Sequence, residues 1–328
     1  MPAPLVSILM PTYNGADRIG DALGSVLTQT EQDWEMIVVV DGSTDETDAV
    51  LAGLAEPFGE RLRVVRQPNA GGGAALNRAM QEARGEYVAI LDDDDTWRPR
   101  KLEVQRAFME ARPECIGCSV VWETTARPGV PICDPAALCD ARGIVQRPIR
   151  QHFGHVFWRP SFTFMRRDAM AGLPFCPIRE VPYDREFDLA FFARGPIGIA
   201  GGGEILGRYR IHASNVSKRP ERAYLGTLRL RALDRQGHFD HLDAAQRDDF
   251  EHFMGRRTRH VIIEQLQFGD RRRALDLFRR EWRSLLHARA GLFTLALPAL
   301  VAAPPSVLSR VWPSRGVLHG APSPGTAS

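Results

Sequence analysis

Asp92, Asp93, Asp94 and Asp95 stand in an unbroken row directly after the apolar run Tyr87-Val88-Ala89-Ile90-Leu91. Carboxylates this close raise one another's pKa and repel unless a hard divalent cation or several hydrogen-bond donors neutralise them. A cation held there would in turn hold phosphate oxygens, which makes the row the first candidate for chemistry. The competing reading is a solvated acidic turn. A calcium-binding EF-hand loop fails on geometry: counted from Asp92, its sixth position is Trp97 where the sharp turn needs glycine, and the row follows a strand pattern instead of a helix. A second acidic group lies in Tyr183-Asp184-Arg185-Glu186-Phe187-Asp188-Leu189. There a carboxylate could take the proton of a reacting hydroxyl, or Asp184 and Glu186 could simply favour the start of a helix.

The surrounding pattern says what must position these groups. Leu5 to Met10 is an apolar run, Ile19, Leu23, Val26 and Leu27 recur at helical spacing, and Trp34 to Val40 is the next strand. A helix over 46–55, a strand over 62–65, a helix over 74–83 and the strand ending at Leu91 continue the alternation, which predicts a parallel sheet. In such sheets ligands bind beyond the carboxyl ends of the strands. The residues just past the four strands are Pro11-Thr12-Tyr13-Asn14, Asp41-Gly42-Ser43-Thr44-Asp45, Asn69-Ala70-Gly71-Gly72-Gly73 and the acidic row. That set is polar, glycine-rich and acidic, as a nucleotide site with a metal would be. Asp45 is read apart, as a cap for the helix that follows it. The first turn lacks G-x-G-x-x-G, and neither a P-loop lysine motif nor a G-x-S-x-G elbow is present.

Four motifs in order carry a family resemblance. They are Val6 to Asn14, Val38 to Asp45, Leu91 to Asp95 with Trp97 and Pro99, and Tyr209-Arg210-Ile211-His212. Together, over residues 4–217, they resemble family 2 of the glycosyltransferases, inverting enzymes with a GT-A fold. The fold class expected is therefore α/β, a Rossmann-like and mostly parallel sheet flanked by helices, with a C-terminal helical extension. The resemblance implies a nucleotide-diphosphate sugar donor, UDP-linked by expectation, a saccharide or lipid-linked hydroxyl acceptor, and Mn²⁺ or Mg²⁺ as cofactor. It assigns Pro11, Thr12, Tyr13, Asn14, Asp41, Asn69, Asn77, Asp92 and Asp93 to the nucleotide sugar, with Tyr13 against the base and Asp92 near the ribose. Tyr13 has a plainer alternative, a turn residue packed on the sheet edge. Asp94 and His212 are the implied metal ligands, with Asp95 behind them. In the acidic segment the family pattern E-D-x-D-L is met imperfectly, since Arg185 replaces its glutamate and Glu186 falls at the base position. Glu186 is the expected catalytic base, with Asp184 and Asp188 as competitors. The altered segment also leaves open a catalytically silent nucleotide-sugar-binding module.

Composition limits the remainder. A 328-residue chain with 44% hydrophobic and 25% charged residues has material for a large core. A formal net charge of +2 argues against a general nucleic-acid binder. Of the basic residues only Lys101 and Lys218 are lysine. Five cysteines are too few and too scattered for a disulfide scaffold, and no second close pair completes the zinc-ribbon spacing of Cys115 and Cys118. The start of the chain lacks the basic and apolar stretches of a signal peptide, so the expected location is cytoplasmic, at the inner face of the plasma membrane if the C-terminal region touches lipid. The expected divisions are a catalytic domain over 1–217, a helical region over 218–290, a short apolar segment over 291–312 and a disordered tail over 313–328. In the helical region Leu275, Phe278, Trp282, Leu285 and Leu286 read as one apolar face among arginines. Gly291 to Ala303 is apolar but shorter than the roughly 17 to 25 residues that span a bilayer. Residues 271–303 are therefore expected either to lie on an anionic membrane surface or to pack as an ordinary helix.

Overall fold

The computed structural model describes residues 3–152, 157–212, 219–288, 291–304 and 306–307, so the expected tail over 313–328 lies outside the described residues. The chain divides into two compact units. The first comprises Met1–Pro148, Val156–Arg179 and Tyr183–Arg210; the second comprises Ile149–His155, Glu180–Pro182 and Ile211–Ser328.

In the first unit, β1 (Val6–Thr12), β2 (Trp34–Asp41), β3 (Leu62–Gln67) and β4 (Tyr87–Ile90) alternate with α1 (Ile19–Leu27), α2 (Thr47–Leu54) and α3 (Gly72–Glu82). All residues of β2 and β4 are buried, as expected of strands covered on both faces. The second half adds β5 (Thr96–Trp97), α4 (Lys101–Glu110), β6 (Gly117–Thr124), the short α5 (Pro148–Gln151), β7 (Thr163–Arg166), α6 (Arg185–Phe192) and β8 (Ile197–Tyr209). One eight-stranded sheet results, in the order β3-β2-β1-β4-β7-β6-β8-β5. The first four strands are parallel as the alternation predicts, whereas β7 runs antiparallel to both β4 and β6, and β5 to β8. Pro160 sits at the start of a 3₁₀ turn, Pro160–Phe162, and pairing begins only at Thr163, because a proline offers no N–H to a ladder.

The second unit contains α7 (Pro220–Arg235), α8 (Ala244–Gln267), α9 (Arg271–His287) and α10 (Gly291–Ala302). Val261, Ile262, Leu266, Ala274, Leu277, Leu285 and Phe293 form its core cluster. The buried face of α9 is therefore only partly the one the sequence suggests: Leu285 is in the core and Phe278 packs against it. Ala274, Leu277, Glu281, Ser284 and Leu285 face inward, while Trp282 and Leu286 stay 44% and 48% exposed. The rotation follows from Glu281, whose carboxylate receives Arg231 Nη2 at 2.9 Å and so turns inward as half of an ion pair. No described helix is long and apolar enough to cross a membrane.

Candidate active site at the strand ends

β1 pairs in parallel with β2 and β4, in a register that sets Thr12 beside Val40 and Leu9 beside Ile90. The loops leaving the three strands consequently open at one edge of the sheet. Their backbones are fastened to each other before any ligand arrives. Asn14, in the left-handed region at φ 50°, donates its N–H to Ser43 Oγ at 3.0 Å and accepts the Thr44 N–H at 2.8 Å. Asp45 accepts the N–H groups of Thr47 and Ala16, at 3.1 Å each, tying the start of α2 to the first loop. Pro11 lies within β1, and Tyr13 projects with its ring 44% exposed.

Asp41 is almost wholly buried. One of its oxygens accepts Gln67 Nε2 and the Ala70 N–H at 2.8 Å each, and the other accepts the Gly71 N–H at 2.7 Å. The loop carrying Asn69 is thereby wrapped around this carboxylate. A Cβ at Gly42, where φ is +69°, would meet the Asn69 nitrogen at 2.6 Å. Asn77 has a different place: its amide donates to the Phe175 carbonyl and accepts the Phe175 N–H, both at 2.8 Å, which clamps α3 to the chain before the acidic segment.

The acidic row divides into two parts. Asp93 turns toward β1, accepting Thr12 Oγ1 at 2.6 Å and Arg18 Nε at 3.0 Å. Gly15 leaves room for this arrangement, since a Cβ there would stand 2.4 Å from Asp93 Oδ2. Asp92, Asp94 and Asp95 turn the other way, each with a carboxylate oxygen within 4.8 Å of the others. Asp92 accepts Tyr183 Oη at 3.0 Å and Ser161 Oγ at 3.1 Å, and its own N–H donates back to Ser161 Oγ at 3.1 Å. Ser161 is held in turn by Trp97 Nε1 on its carbonyl at 2.6 Å, with Lys101 Nζ 3.8 Å from the Trp97 ring centre. Burial, then the neighbouring charge of Asp94, pushes the Asp92 pKa up to about 7. Burial, followed by Asp94 and Asp92, also holds Asp95 well above the usual carboxylate range.

Asp95 is fully buried. One of its oxygens accepts the Arg210 N–H at 3.0 Å, and the other has no hydrogen-bond partner. A buried, partnerless carboxylate oxygen is costly. Three hard oxygen donors converging beside it are what Mg²⁺ or Mn²⁺ prefers. The residues therefore fit a divalent cation, with Asp95 inside the group and not behind it, and with Asp92 in the group as well as beside the expected ribose position. His212 belongs to the second unit. Arg18, Ser161 and Tyr183 complete the setting of these carboxylates and were not singled out from sequence, because a polar residue 69 or 91 positions away carries no local signal.

In the acidic segment Asp184 precedes α6 and its carbonyl accepts the Asp188 N–H at 2.8 Å. Asp188 accepts Trp158 Nε1 at 3.1 Å and faces Arg185 at 3.9 Å. Burial, then the charge of Asp184, raises its pKa well above the ordinary value. Glu186 is buried in the first turn of α6. At about 100° per residue it points roughly 200° round the helix from Asp184, so the segment presents its carboxylates in different directions.

A sequence profile described as Glycosyl transferase family 2 matches residues 7–173. TuaG of Bacillus subtilis, named as a teichuronic acid biosynthesis glycosyltransferase, is 43% identical over 130 residues, 39% of this chain and 51% of its own. The Rickettsia prowazekii glycosyltransferase RP339 is 41% identical over 103 residues, 31% of each chain. The chain thus spans about half of the first relative and under a third of the second. Among solved structures, residues 1–349 of S. aureus TarS with UDP-GlcNAc align with a TM-score of 0.57 at 18% identity, over 87% of this chain and 92% of that one. The mannosyltransferase PcManGT of Pyrobaculum calidifontis, with GDP-Man and Mn²⁺, aligns with the same TM-score and identity over 95% and 88%. At that identity the likeness is one of fold, the GT-A type. The profile covers β1 to β7 together with the loops that carry the acidic row, and on that match the chain belongs to family 2 of the glycosyltransferases.

Proposed function

We propose that the chain transfers a sugar from a nucleotide-diphosphate donor, UDP-linked, to a hydroxyl of a saccharide or lipid-linked acceptor, with inversion at the anomeric carbon and with the help of Mn²⁺ or Mg²⁺. The observation that carries this reading is the convergence of Asp92, Asp94 and Asp95 within 4.8 Å, one oxygen of Asp95 being buried without a partner. Asp94 and its two neighbours would hold the cation. A bound cation of this kind supplies positive charge for a departing diphosphate.

The chain's own residues would do the remaining work. Tyr13 offers an exposed ring face for stacking on the base. Thr12 and Asp93 form a pair that fixes the wall beside it, and Asp41 fixes the loop that carries Asn69. Tyr183 and Ser161 orient Asp92. Deprotonation of the acceptor hydroxyl falls to Glu186, the residue at the family's base position. One observation favours Asp184 as a second reading: it lies close enough to Tyr183 and Arg159 to perturb both electrostatically, and Tyr183 donates to Asp92.

The exposed surface of α9 supports membrane contact. Arg279 and Arg283 flank exposed Trp282 and Leu286 along the helix, with Arg271, Arg272 and Arg280 exposed on it as well, and Leu295 of α10 is 80% exposed. Basic side chains around a tryptophan suit an anionic lipid surface, which supports contact with the inner face of the plasma membrane and a lipid-linked acceptor. Phe293 takes no part, because it packs in the core of the second unit.

The test is a panel of UDP- and GDP-sugars screened by thermal shift with and without MnCl₂, followed by NMR of the anomeric configuration of the released or transferred sugar. Stabilisation by a nucleotide sugar only when metal is present, with an inverted product, is expected. Binding without turnover of any donor would leave a silent binding module in place of an enzyme.

A further inference from the structure

The segment Trp158-Arg159-Pro160 holds a cation that the site, as described so far, does not use. The guanidinium carbon of Arg159 stands 4.0 Å from the Tyr209 ring centre and 5.2 Å from that of Trp122, so two aromatic faces fix its direction. Its Nε is buried without a hydrogen-bond partner. Among the described residues, no carboxylate lies within ion-pair distance of it. Both ends of this support lead to the acidic group. Arg159 accepts the Phe162 N–H at 2.9 Å, closing the turn whose Ser161 binds Asp92, and Tyr209 adjoins Arg210, whose N–H binds Asp95.

A guanidinium kept only to neutralise the acidic group would be expected to pair with one of its members, since bidentate contact with a carboxylate is its strongest interaction. Arg159 stacks beside the group and makes no such contact. Burial opposes its charge, but Tyr209, Asp95, Asp184 and Asp92 together hold its pKa above the ordinary arginine value. The planar fork therefore stays charged, with donors unspent, at the border between the metal-binding carboxylates and the acidic segment of α6. Once a divalent cation occupies Asp92, Asp94 and Asp95, Asp184 is the carboxylate among those named that still faces the charge on Arg159.

We infer that Arg159 is a ligand-binding residue of this site, whose guanidinium takes a phosphate oxygen of the donor's diphosphate and adds a second positive contact to the leaving group. The inference rests on the donor reading given under Proposed function and names a residue which that reading does not require.

Calorimetry on the full chain in MnCl₂ decides it, with UDP and GDP and their uncharged counterparts uridine and guanosine as probes. Arg159→Met should weaken diphosphate binding about tenfold or more, as expected for loss of a charge-assisted contact. It should leave nucleoside binding unchanged and the affinity for Mn²⁺ alone no weaker, because a neighbouring positive charge opposes a bound cation, and Arg159→Lys should recover part of the loss. Arg159→Gln gives the same comparison if circular dichroism shows that the methionine variant is misfolded. Unchanged diphosphate affinity overturns the inference. Equal losses for diphosphate and nucleoside overturn it too, because they mark a scaffold residue. If the wild-type chain binds neither UDP nor GDP, the donor reading falls and the inference with it.

Discussion

Asp95→Asn separates the cost of the acidic group from its use. Without metal, two unit charges 4.8 Å apart, the limiting separation in this group, repel by about 3.5 kcal/mol at an effective dielectric constant near 20. Protonation relieves part of this repulsion at neutral pH, since the Asp92 pKa is pushed up to about 7 and Asp95 is held well above the usual carboxylate range. Asparagine keeps the shape, still accepts the Arg210 N–H and places an NH₂ group where Asp95 now has a partnerless oxygen. The metal-free variant should therefore be more stable than wild type at pH 8 by about 1–3 kcal/mol, which is a rise in Tm of several degrees at roughly 2–4 °C per kcal/mol. With Mn²⁺ the order should reverse. Wild type gains about 2.7 kcal/mol when the metal is present at 100 times its Kd, and the variant, lacking one of three anionic donors, should gain far less. Thermal denaturation in EDTA and in MnCl₂ reads both signs. A variant that is less stable in EDTA yet keeps the whole Mn²⁺-induced shift would refute the argument and make Asp95 a scaffold for Arg210.

Three further outcomes are expected. Glu186→Gln should keep donor affinity while turnover falls by about 10²-fold or more, the scale for losing a positioned base; near-normal turnover there, with collapse in Asp184→Asn, would move the role to Asp184. Glu264 on α8 has its pKa raised to about 7 by burial, with Arg257 opposing. Its raised value means that the folded state favours the protonated form, so stability is undiminished below about pH 4.5 and is lost as pH rises toward 7, by up to about 3 kcal/mol. Urea titrations at pH 5 and pH 8 should show that difference shrink in Glu264→Gln, and an unchanged difference would put the pH dependence elsewhere. The full chain should co-sediment with anionic vesicles at low salt, and combined Arg272→Glu, Arg279→Glu and Arg283→Glu should release it, at about 1 kcal/mol for each basic residue near the surface. Charge reversal is chosen over truncation because α9 contributes Ala274, Leu277 and Leu285 to the core of the second unit. Wild-type protein left in the supernatant would end the membrane reading.

The part of the molecule governed by local period and by strand ends is legible in the sequence. Continuous apolar runs bounded by polar, glycine-rich turns marked β1 to β4 to within about two residues. Parallel alternation then implied that Thr12, Asp41 and the acidic row meet at one edge, as the register of β1 against β2 and β4 has it. Tertiary structure alone decided how the aspartates divide their work. Identical neighbours differ only in what faces them: Asp93 meets Thr12 and Arg18, Asp92 meets Ser161 and Tyr183, and one oxygen of Asp95 has no hydrogen-bond partner. Those partners arrive from distant parts of the chain, and residue type does not encode which carboxylate they will reach. The same limit explains α9, where a helical period predicted an amphipathic helix but not its orientation. An ion pair between Glu281 and Arg231, 50 residues apart, can turn a charged residue inward and leave a tryptophan outside, because a desolvated charge is tolerated only where a partner from elsewhere in the fold neutralises it.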